Sequence, residues 1–465
     1  MLNILVELSK YFLTILMILY TFSCFTVFKK KSERKKKKVL RKQLYIIIVM
    51  DLSAFAVMYL KAVEMNILII LGGLLIYITI VQIFYRIFYS KASMLLVNNM
   101  CMLLSIGFII QTRLDRDMAY KQFLIVCIAT VISFFIPVII RKMHFLNKLT
   151  WFYAVAGILL LGVVLALAAV SGGAKLFISV GGFSFQPSEL VKITYVFFLA
   201  CMLWKKQDFK TVVIASVFAA IHVLILVAST DLGTSLVFFI TYICVVYVAT
   251  QKPVYAIAGL GGGCIAAVGA YFVFGHVRNR VVAWRDPFSV YNTSGYQIVQ
   301  SLFAIGTGGW FGMGLFQGSP QTIPVAKEDF VFAAICEELG GIYAVCMILV
   351  CMSLFIMILN ISMQLKNRFY KLLALGFGTE YAFQVFLTIG GTSKFIPMTG
   401  ITLPLVSYGG SSILCTILML AIIQGLYILR EDEGDKIEKE RQEQQERQAR
   451  QVQHTREYEI PRTRR

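Results

Sequence analysis

Residues 67–85 read ILIILGGLLIYITIVQIFY, a run of nineteen residues without a charged side chain. An α-helix rises about 1.5 Å per residue, so this run would form a helix of roughly 30 Å, the thickness of the hydrocarbon core of a bilayer. Its apolar side chains would point to every side of the helix, which is not the pattern of a soluble amphipathic helix. The run therefore predicts a membrane-spanning helix.

The rest of the chain repeats this pattern. Of its 465 residues, 58% are hydrophobic and only 15% are charged, and the mean hydropathy is +0.76. A soluble domain cannot hide so many apolar side chains, whereas a bilayer solvates them. We predict an all-α polytopic membrane protein with thirteen spans, at residues 9–28, 44–62, 67–85, 92–111, 122–140, 149–170, 188–203, 211–229, 232–250, 254–274, 330–358, 372–390 and 405–429.

The distribution of lysine and arginine predicts how the spans are oriented. The block Lys29–Lys42 holds ten of these residues, and such a block between spans is typical of the cytoplasmic side. Counting the spans from this block places the other basic turns on the same side. These turns are Arg86–Lys91, Arg141–Lys148, Lys205–Lys210, Lys252 and Lys366–Lys371. The N-terminus is then expected outside and the C-terminus in the cytoplasm.

Several other classes of protein do not fit this sequence. The net charge of +19 sits beside apolar spans, which indicates anionic lipid headgroups and not nucleic acid. The ten cysteines lie in apolar runs without a CxxC spacing, and the four histidines are scattered, so neither disulfides nor a zinc site is predicted. The first apolar run lacks a small-residue cleavage site and ends in the basic block, which indicates an anchor.

The chain divides into three parts by composition. Residues 1–90 carry three spans without a motif and are interpreted as an accessory N-terminal transmembrane module. Residues 91–429 carry ten spans and every motif, and their 275–329 segment is a large extracellular loop among short connections. Long loops tend to be functional. Residues 430–465 are rich in Glu, Gln and Arg, which predicts a cytoplasmic tail that is disordered or a solitary charged helix.

Charged residues begin two of the spans. Glu189 and Lys192 are three residues apart, so they share one face of a helix just below the outer interface. Charges at that depth are costly, so they form either a structural ion pair or a polar lining for a charged lipid substrate. Asp231 stands at the start of the span 232–250. The helix dipole favours a negative charge at this end, so a helix cap is the better interpretation than a catalyst.

The large loop carries arginines on the outer side, against the positive-inside trend. They are Arg278, Arg280 and Arg285, and Trp284 lies among them. The planar guanidinium binds phosphate through two parallel hydrogen bonds, and five glycines between positions 308 and 318 allow tight turns. Both facts predict an anionic phosphate ligand, while pairing of the arginines with Asp286 is the structural alternative.

Acidic residues mark the end of this loop. Asp329 lies where the loop meets the next span, and a carboxylate at a dry boundary can have a raised pKa and act as a general base. Glu337 and Glu338 lie roughly 12 Å deeper, by helical rise. At that depth they are either functional or structurally paired.

Residues 390–412 read GGTSKFIPMTGITLPLVSYGGSS. Prolines and glycines break a helix here at membrane depth, where irregular backbone is tolerated only if it is covered or lines a cavity. The segment supplies another cation on the outer side, Lys394, and a hydroxyl at Ser407. We interpret both as candidate contacts to the substrate.

Taken together, these stretches resemble the SEDS family of bacterial cell-wall polymerases, the group of FtsW, RodA and SpoVE. The resemblance covers roughly residues 92–429, the ten spans of that fold. It implies a peptidoglycan glycosyltransferase that polymerises lipid II, an undecaprenyl-diphosphate disaccharide pentapeptide. The Asp-Phe-Val-Phe-Ala stretch implies that Asp329 is catalytic, and the Gln-Pro-Ser-Glu stretch implies a paired Glu189 and Lys192. A class B penicillin-binding protein is the implied partner.

Three positions depart from the family pattern. Ser229-Thr230 stands where Gln-Pro usually precedes Asp-Leu-Gly-Thr, and Pro324-Val325 stands where Pro-Glu is common. Glu328 replaces the usual Thr before the aspartate, and its like charge is expected to raise the pKa of Asp329.

We therefore expect Asp329 to deprotonate the acceptor sugar hydroxyl, which then displaces the diphosphate of the donor with inversion. Cations stabilise such a leaving group. The candidates are Lys394, Arg278, Arg280, Arg285 and a divalent metal, Mg or Mn, held partly by Asp329. Two other functions remain open: a lipid II flippase, because broken helices and polar groups also suit transport, and a non-catalytic scaffold for the penicillin-binding partner.

Overall fold

The computed structural model describes residues 2–143, 145–167, 169–171, 174–180 and 183–459. Most of them are helical, because backbone polar groups inside a bilayer must be satisfied within their own segment. The helices are α1 Leu2–Lys29, α2 Glu33–Ala62, α3 Met65–Phe88, α4 Met94–Leu114, α5 Arg116–Ser133, α6 Ile136–Lys142, α7 Thr150–Leu167, α8 Pro187–Leu203, α9 Phe209–Ala228, α10 Leu232–Thr250, α11 Pro253–Val273, α12 Gly275–Arg285, α13 Tyr296–Gly308, α14 Val331–Leu339, α15 Gly341–Gln364, α16 Arg368–Thr392 and α17 Gly410–Glu459.

The predicted spans are present as helices. Within the described residues, eleven helical stretches are long and apolar enough to cross a membrane, and α7 contains a shorter apolar helix. The predicted span 188–203 is present as the 17-residue helix α8. A small antiparallel sheet lies between α7 and α8, with strands β1 Ala169–Ser171, β2 Ala174–Val180 and β3 Phe183–Phe185 in that order. Its register pairs Ala169 with Phe177 and Ile178 with Phe185. The all-α prediction therefore holds for the bundle, and this connection is the exception.

The predicted span 330–358 is wrong as a single helix. The structure divides it at Gly340 into α14 and α15, and Gly340 has a φ of 90°, which favours glycine. The backbone of the large loop crosses at this break: Gly341 N donates to Gly309 O at 2.8 Å and Ile342 N donates to Trp310 O at 3.1 Å. The break therefore places the end of α13 against α14.

Three other predicted boundaries need correction. The span 122–140 is divided into α5 and α6, with the break just before Pro137, a residue that cannot continue the hydrogen-bond ladder. The last span begins at Gly410 and not at 405, because residues 399–409 are irregular. The tail is not a solitary helix, since α17 continues without a break from the last span to Glu459.

Helix α4 lies at the centre of the bundle, with 18 of its 21 residues buried. Gly107 lets the irregular segment reach it, because a Cβ there would lie 2.9 Å from the carbonyl oxygens of Leu405 and Val406. At the opposite extreme, α11 has no buried residue along its whole length, all of which the structure describes.

The three N-terminal helices share the main hydrophobic core with the rest of the bundle. Helix α1 packs against α15, and α2 and α3 pack against α4. Polar contacts fix this packing: the Tyr20 hydroxyl lies 3.0 Å from Asn99 Oδ1, and Ser105 donates to Asp51 at 2.9 Å. Buried hydrogen bonds of this kind join helices inside a membrane. The division of the chain at residue 90 stays a prediction.

Ion pairs mark the two ends of the helix bundle. Lys91 and Arg141 both pair with Asp432 near the membrane end of the α17 tail. At the other end of the bundle, Lys327 pairs with Asp115 at 2.7 Å. The large loop and the irregular segment 393–409 both lie at this second end, which we call the loop end.

The junction of α13 and α14 gives a test of the fold. A Cβ on Gly308 would lie 2.0 Å from the carbonyl oxygen of Cys336, whereas one on Gly306, in the same helix, would meet no atom within 4 Å. We expect Gly308→Ala to destabilise the protein by about 1–3 kcal/mol, and Gly306→Ala to stabilise the helix by up to about 1 kcal/mol. Thermal unfolding of both variants in detergent measures the difference, and equal midpoints would contradict the packing.

Candidate active site

The loop end anchors the backbone on both sides of Asp329. Tyr408 N donates to Lys327 O at 2.7 Å, and Thr392 Oγ1 donates to Asp329 O at 3.3 Å. The Ser407 hydroxyl donates to the carbonyl of Glu328. The position of Asp329 is thus set by the segment 392–408 as much as by its own loop.

One arginine of the predicted three faces Asp329. Arg280, on α12, donates through Nη1 to Met398 O at 3.2 Å and to Thr399 O at 2.7 Å. Gly400 has a φ of 73°, and a Cβ there would lie 3.6 Å from Asp329 Oδ2 and 3.7 Å from Arg280 Nη2. The carboxylate and the guanidinium therefore converge on the same glycine, which has no side chain to separate them.

The surroundings of Asp329 suit a base. Its side chain is partly accessible, as a group that must reach a substrate has to be. Shielding by the surrounding protein raises the pKa of Asp329 to about 7, and the charges of Glu328 and Asp231 act in the same direction, while Arg280 opposes them. The expectation that Glu328 raises this pKa is confirmed. A base with a pKa near the working pH is the most effective general base.

The other predicted cations are placed differently. Lys394 is partly buried in a left-handed conformation with a φ of 60°, and its carbonyl accepts a hydrogen bond from Trp284 Nε1 at 3.1 Å. Trp284 thus joins α12 to the irregular segment. Arg278 and Arg285 lie on the exposed side of α12. The sequence alone could not distinguish Arg280 from Arg278 and Arg285, because the buried side of α12 depends on the elements that pack against it.

Ser407 supports the loop through its hydroxyl group. Its side chain is buried, and besides donating to Glu328 O it accepts a hydrogen bond from Leu403 N at 2.9 Å. A contact between Ser407 and the substrate stays a prediction. Two backbone segments that lie far apart in the sequence are joined through this hydroxyl.

Glu189 and Lys192 form the predicted pair, with 2.6 Å between Oε2 and Nζ. Both are buried, and Glu380 on α16 adds a second carboxylate close enough to act on the lysine. These three residues line a small cavity between α8, α16 and α17. Glu380 is absent from the predicted site, although a carboxylate inside the predicted span 372–390 is itself a signal of function or pairing.

A chain of hydrogen bonds links this charged cluster to the loop end. Lys192 Nζ donates to Gln384 Oε1 at 2.8 Å, and Gln384 Nε2 donates to Thr402 O at 2.9 Å. Thr388 on the same helix donates to Ile401 O at 3.1 Å. The cluster therefore holds the segment that contains Gly400.

The remaining acidic residues have structural partners. Asp231 caps α10 by accepting from Thr234 N at 3.1 Å, and it also accepts from the Ser188 hydroxyl at 3.1 Å. Glu338 pairs with Arg113 at 2.8 Å, and Glu337 accepts from Ser319 N at 2.8 Å. The sequence left structural and functional roles open for these residues. The contacts support a helix cap for Asp231 and structural pairing for Glu337 and Glu338.

A divalent metal held partly by Asp329 stays a prediction. Among the residues that the structure describes, no three His, Cys, Asp or Glu side chains come close enough to hold an ion. The cation that faces Asp329 across Gly400 is the guanidinium of Arg280. No step is routed through a divalent metal.

Comparison with known proteins places this site in a family. The FtsW/RodA/SpoVE family model, whose description is "Cell cycle protein", matches residues 86–431. The peptidoglycan glycosyltransferase RodA of Mycobacterium bovis is 35% identical over 367 residues, which is 73% of this chain and 78% of the relative. The stage V sporulation protein E of Bacillus subtilis is 34% identical over 278 residues, 57% of this chain and 74% of the relative.

Solved structures share the fold. One, described as "Structural coordination of polymerization and crosslinking by a peptidoglycan synthase complex", has a TM-score of 0.64 at 23% identity and covers 73% of this chain and 98% of its own. The rod shape determining protein RodA of Thermus thermophilus has a TM-score of 0.56 at 22% identity, with 73% and 97% covered. The chain therefore belongs to the FtsW/RodA/SpoVE family and is a multi-pass membrane protein.

Proposed function

We propose that this protein is a peptidoglycan glycosyltransferase that polymerises glycan strands from lipid II. The observation that carries the proposal is the pair of Asp329 and Arg280, a partly accessible carboxylate with a pKa near 7 beside a cation. A base and a cation at one place are what transfer of a sugar from a diphosphate requires. The name of the Mycobacterium bovis relative supports the same activity.

The basic residues support an orientation with the loop end outside. The turns rich in Lys and Arg lie at the end of the bundle opposite Asp329, where Lys91 and Arg141 meet the tail. Cytoplasmic loops carry such an excess. In this orientation the N-terminus is outside, the tail is cytoplasmic, and Asp329 acts at the outer leaflet of the plasma membrane.

The reaction forms one bond and breaks another. Asp329 takes the proton from the acceptor sugar hydroxyl, and the oxygen forms a bond to the anomeric carbon of the donor. The bond from that carbon to the diphosphate oxygen breaks, and undecaprenyl diphosphate leaves with its electron pair. Arg280 and Lys394 lie at the same end of the bundle, so they are the cations that would stabilise the charge on the leaving group. Attack opposite the leaving group inverts the anomeric centre.

A class B penicillin-binding protein is the partner we propose. The solved structure with the TM-score of 0.64 belongs to a peptidoglycan synthase complex that coordinates polymerisation and crosslinking. A polymerase of this kind releases a strand with uncrosslinked peptides, which is the substrate that a crosslinking enzyme consumes.

A lipid II flippase is the second candidate, and one observation favours it. The buried cluster of Glu189, Lys192 and Glu380 lies inside the bundle and lines a cavity, as transport sites near the midplane do. Asp329 lies instead at the loop end, which favours the polymerase. Liposomes that translocate lipid II without making polymer would reverse this ranking.

The catalytic assignment predicts the behaviour of one substitution. Asp329→Asn is expected to lower the rate of glycan-strand synthesis by about 10²–10⁴-fold, because the amide cannot accept the proton. Purified protein in detergent, supplied with lipid II, gives the rate from the length and amount of product. Asp117→Asn, an exposed aspartate at the start of α5, is the matched control and should polymerise normally. An Asp329→Asn protein as active as the control would refute the role of Asp329 as the base.

The pKa of Asp329 predicts a pH profile. The base acts only when deprotonated, so kcat/KM should rise with pH through about 7 and level off above it. Glu328→Gln removes a negative charge that raises this pKa, so the rising limb should move to lower pH. Initial rates at low lipid II concentration between pH 5 and 9 measure the shift. Asp117→Asn should leave the limb in place, and a limb that moves upward in Glu328→Gln would contradict the electrostatics.

A further inference from the structure

The helices α1 and α2 and nearly all of α3 precede the matched family region, which begins at residue 86. They nevertheless reach the loop that carries Asp329: α1 packs against it directly, and the turn between α2 and α3 reaches it through α5. We propose that these three helices are an intramolecular brace that positions Asp329, with Tyr11 and Glu64 as positioning residues. This proposal rests on the proposed polymerase function.

The first place of contact is the start of α1. The rings of Tyr11 and Phe311 lie 5.2 Å apart between centroids, and a Cβ on Gly314 would lie 3.2 Å from Val6 Cγ1. Helix α1 therefore packs directly against the segment 311–314 of the large loop.

This segment is bonded to the helix that follows Asp329. Met313 N donates to Glu337 O at 2.8 Å, and Gly314 N donates to Glu338 O at 2.9 Å. Helix α14, which contains both acceptors, begins at Val331, two residues after Asp329. A shift of α1 would thus be passed to α14 through two backbone hydrogen bonds.

The second place is the turn between α2 and α3. Glu64 pairs with Arg116 at the start of α5. The residue before Arg116, Asp115, pairs with Lys327 at 2.7 Å, and Lys327 lies two residues before Asp329. The brace thus approaches Asp329 from the N-terminal side of the loop as well.

The brace is firmly attached to the central helix. Asn98 Nδ2 donates to Gln43 Oε1 at 2.9 Å, and Gln82 Nε2 donates to Asn98 Oδ1 at 2.7 Å. Asn98 therefore joins α2, α3 and α4 by buried side-chain hydrogen bonds. Because a buried network costs much to leave half satisfied, these helices are held against α4 and can resist movement of the loop.

The test uses the full chain with single substitutions at each contact. Tyr11→Ala removes the ring contact and Glu64→Gln removes the ion pair. Phe12→Ala is the matched control for the first, since Phe12 is 45% exposed and Tyr11 is 43% exposed. Glu33→Gln, on the exposed start of α2, is the control for the second.

Two readouts are measured for every variant. The first is kcat and KM for lipid II, and the second is hydrogen exchange of the backbone amides of residues 309–330. In Tyr11→Ala we expect kcat to fall by about threefold to tenfold, the factor that loss of an aromatic pair corresponds to, with KM changed by less than about twofold. Exchange of the loop amides should be faster. Glu64→Gln should show the same pattern to a smaller extent, and both controls should match the wild type.

The outcomes separate the brace from the proposed function. Wild-type protein that makes no polymer would refute the polymerase, while the exchange readout would still test the brace. Unchanged exchange in both contact variants would overturn the brace. Faster exchange with unchanged kcat would overturn the positioning role, since the contact would then be merely structural. A rise in KM alone would overturn it as well, because that result would assign these helices to substrate binding.

Discussion

The structure of the loop end depends on Arg280 and on where its hydrogen bonds go. The guanidinium donates to the carbonyl oxygens of Met398 and Thr399, so it fixes the middle of the irregular segment 393–409. The same group lies beside Asp329 over Gly400. One cation therefore satisfies the backbone and also offsets the charge of the carboxylate. Without it, the pKa of Asp329 would be higher still, and less of the carboxylate would be deprotonated and able to act as a base at neutral pH.

The rest of the bundle holds this pair in place. Lys192, paired with Glu189, positions Gln384, and Gln384 in turn holds the carbonyl of Thr402. On the other side of Asp329, Lys327 is tied to Asp115. A buried ion pair is weak evidence for stability, because desolvation offsets the attraction. Its value here is geometric, since it keeps a long side chain at a defined place inside a bilayer.

Much of the fold could be predicted from the sequence, because a run of about twenty apolar residues has few other places to go. The break at Gly340 could not, since hydropathy says nothing about backbone dihedrals and the reason for the break is the crossing of Gly309 and Trp310. Asp329 and its raised pKa could be inferred from its position and its neighbour Glu328. The choice of Arg280 over Arg278 and Arg285 required the packing of α12. Glu380 could have been found, since a carboxylate inside an apolar span is a signal of function or pairing. The backbone contacts of Ser407 could not, because a hydroxyl serves a backbone as readily as a ligand.

The most direct test of the central claim is the position of the substrate. An electron cryomicroscopy structure of the protein with a non-reactive lipid-linked diphosphate sugar would show it. Our account predicts the diphosphate at the loop end, within hydrogen-bond reach of Arg280 or Lys394, and a sugar hydroxyl beside the carboxylate of Asp329. A ligand found instead among Glu189, Lys192 and Glu380, inside the bundle and away from Asp329, would contradict the account and favour transport.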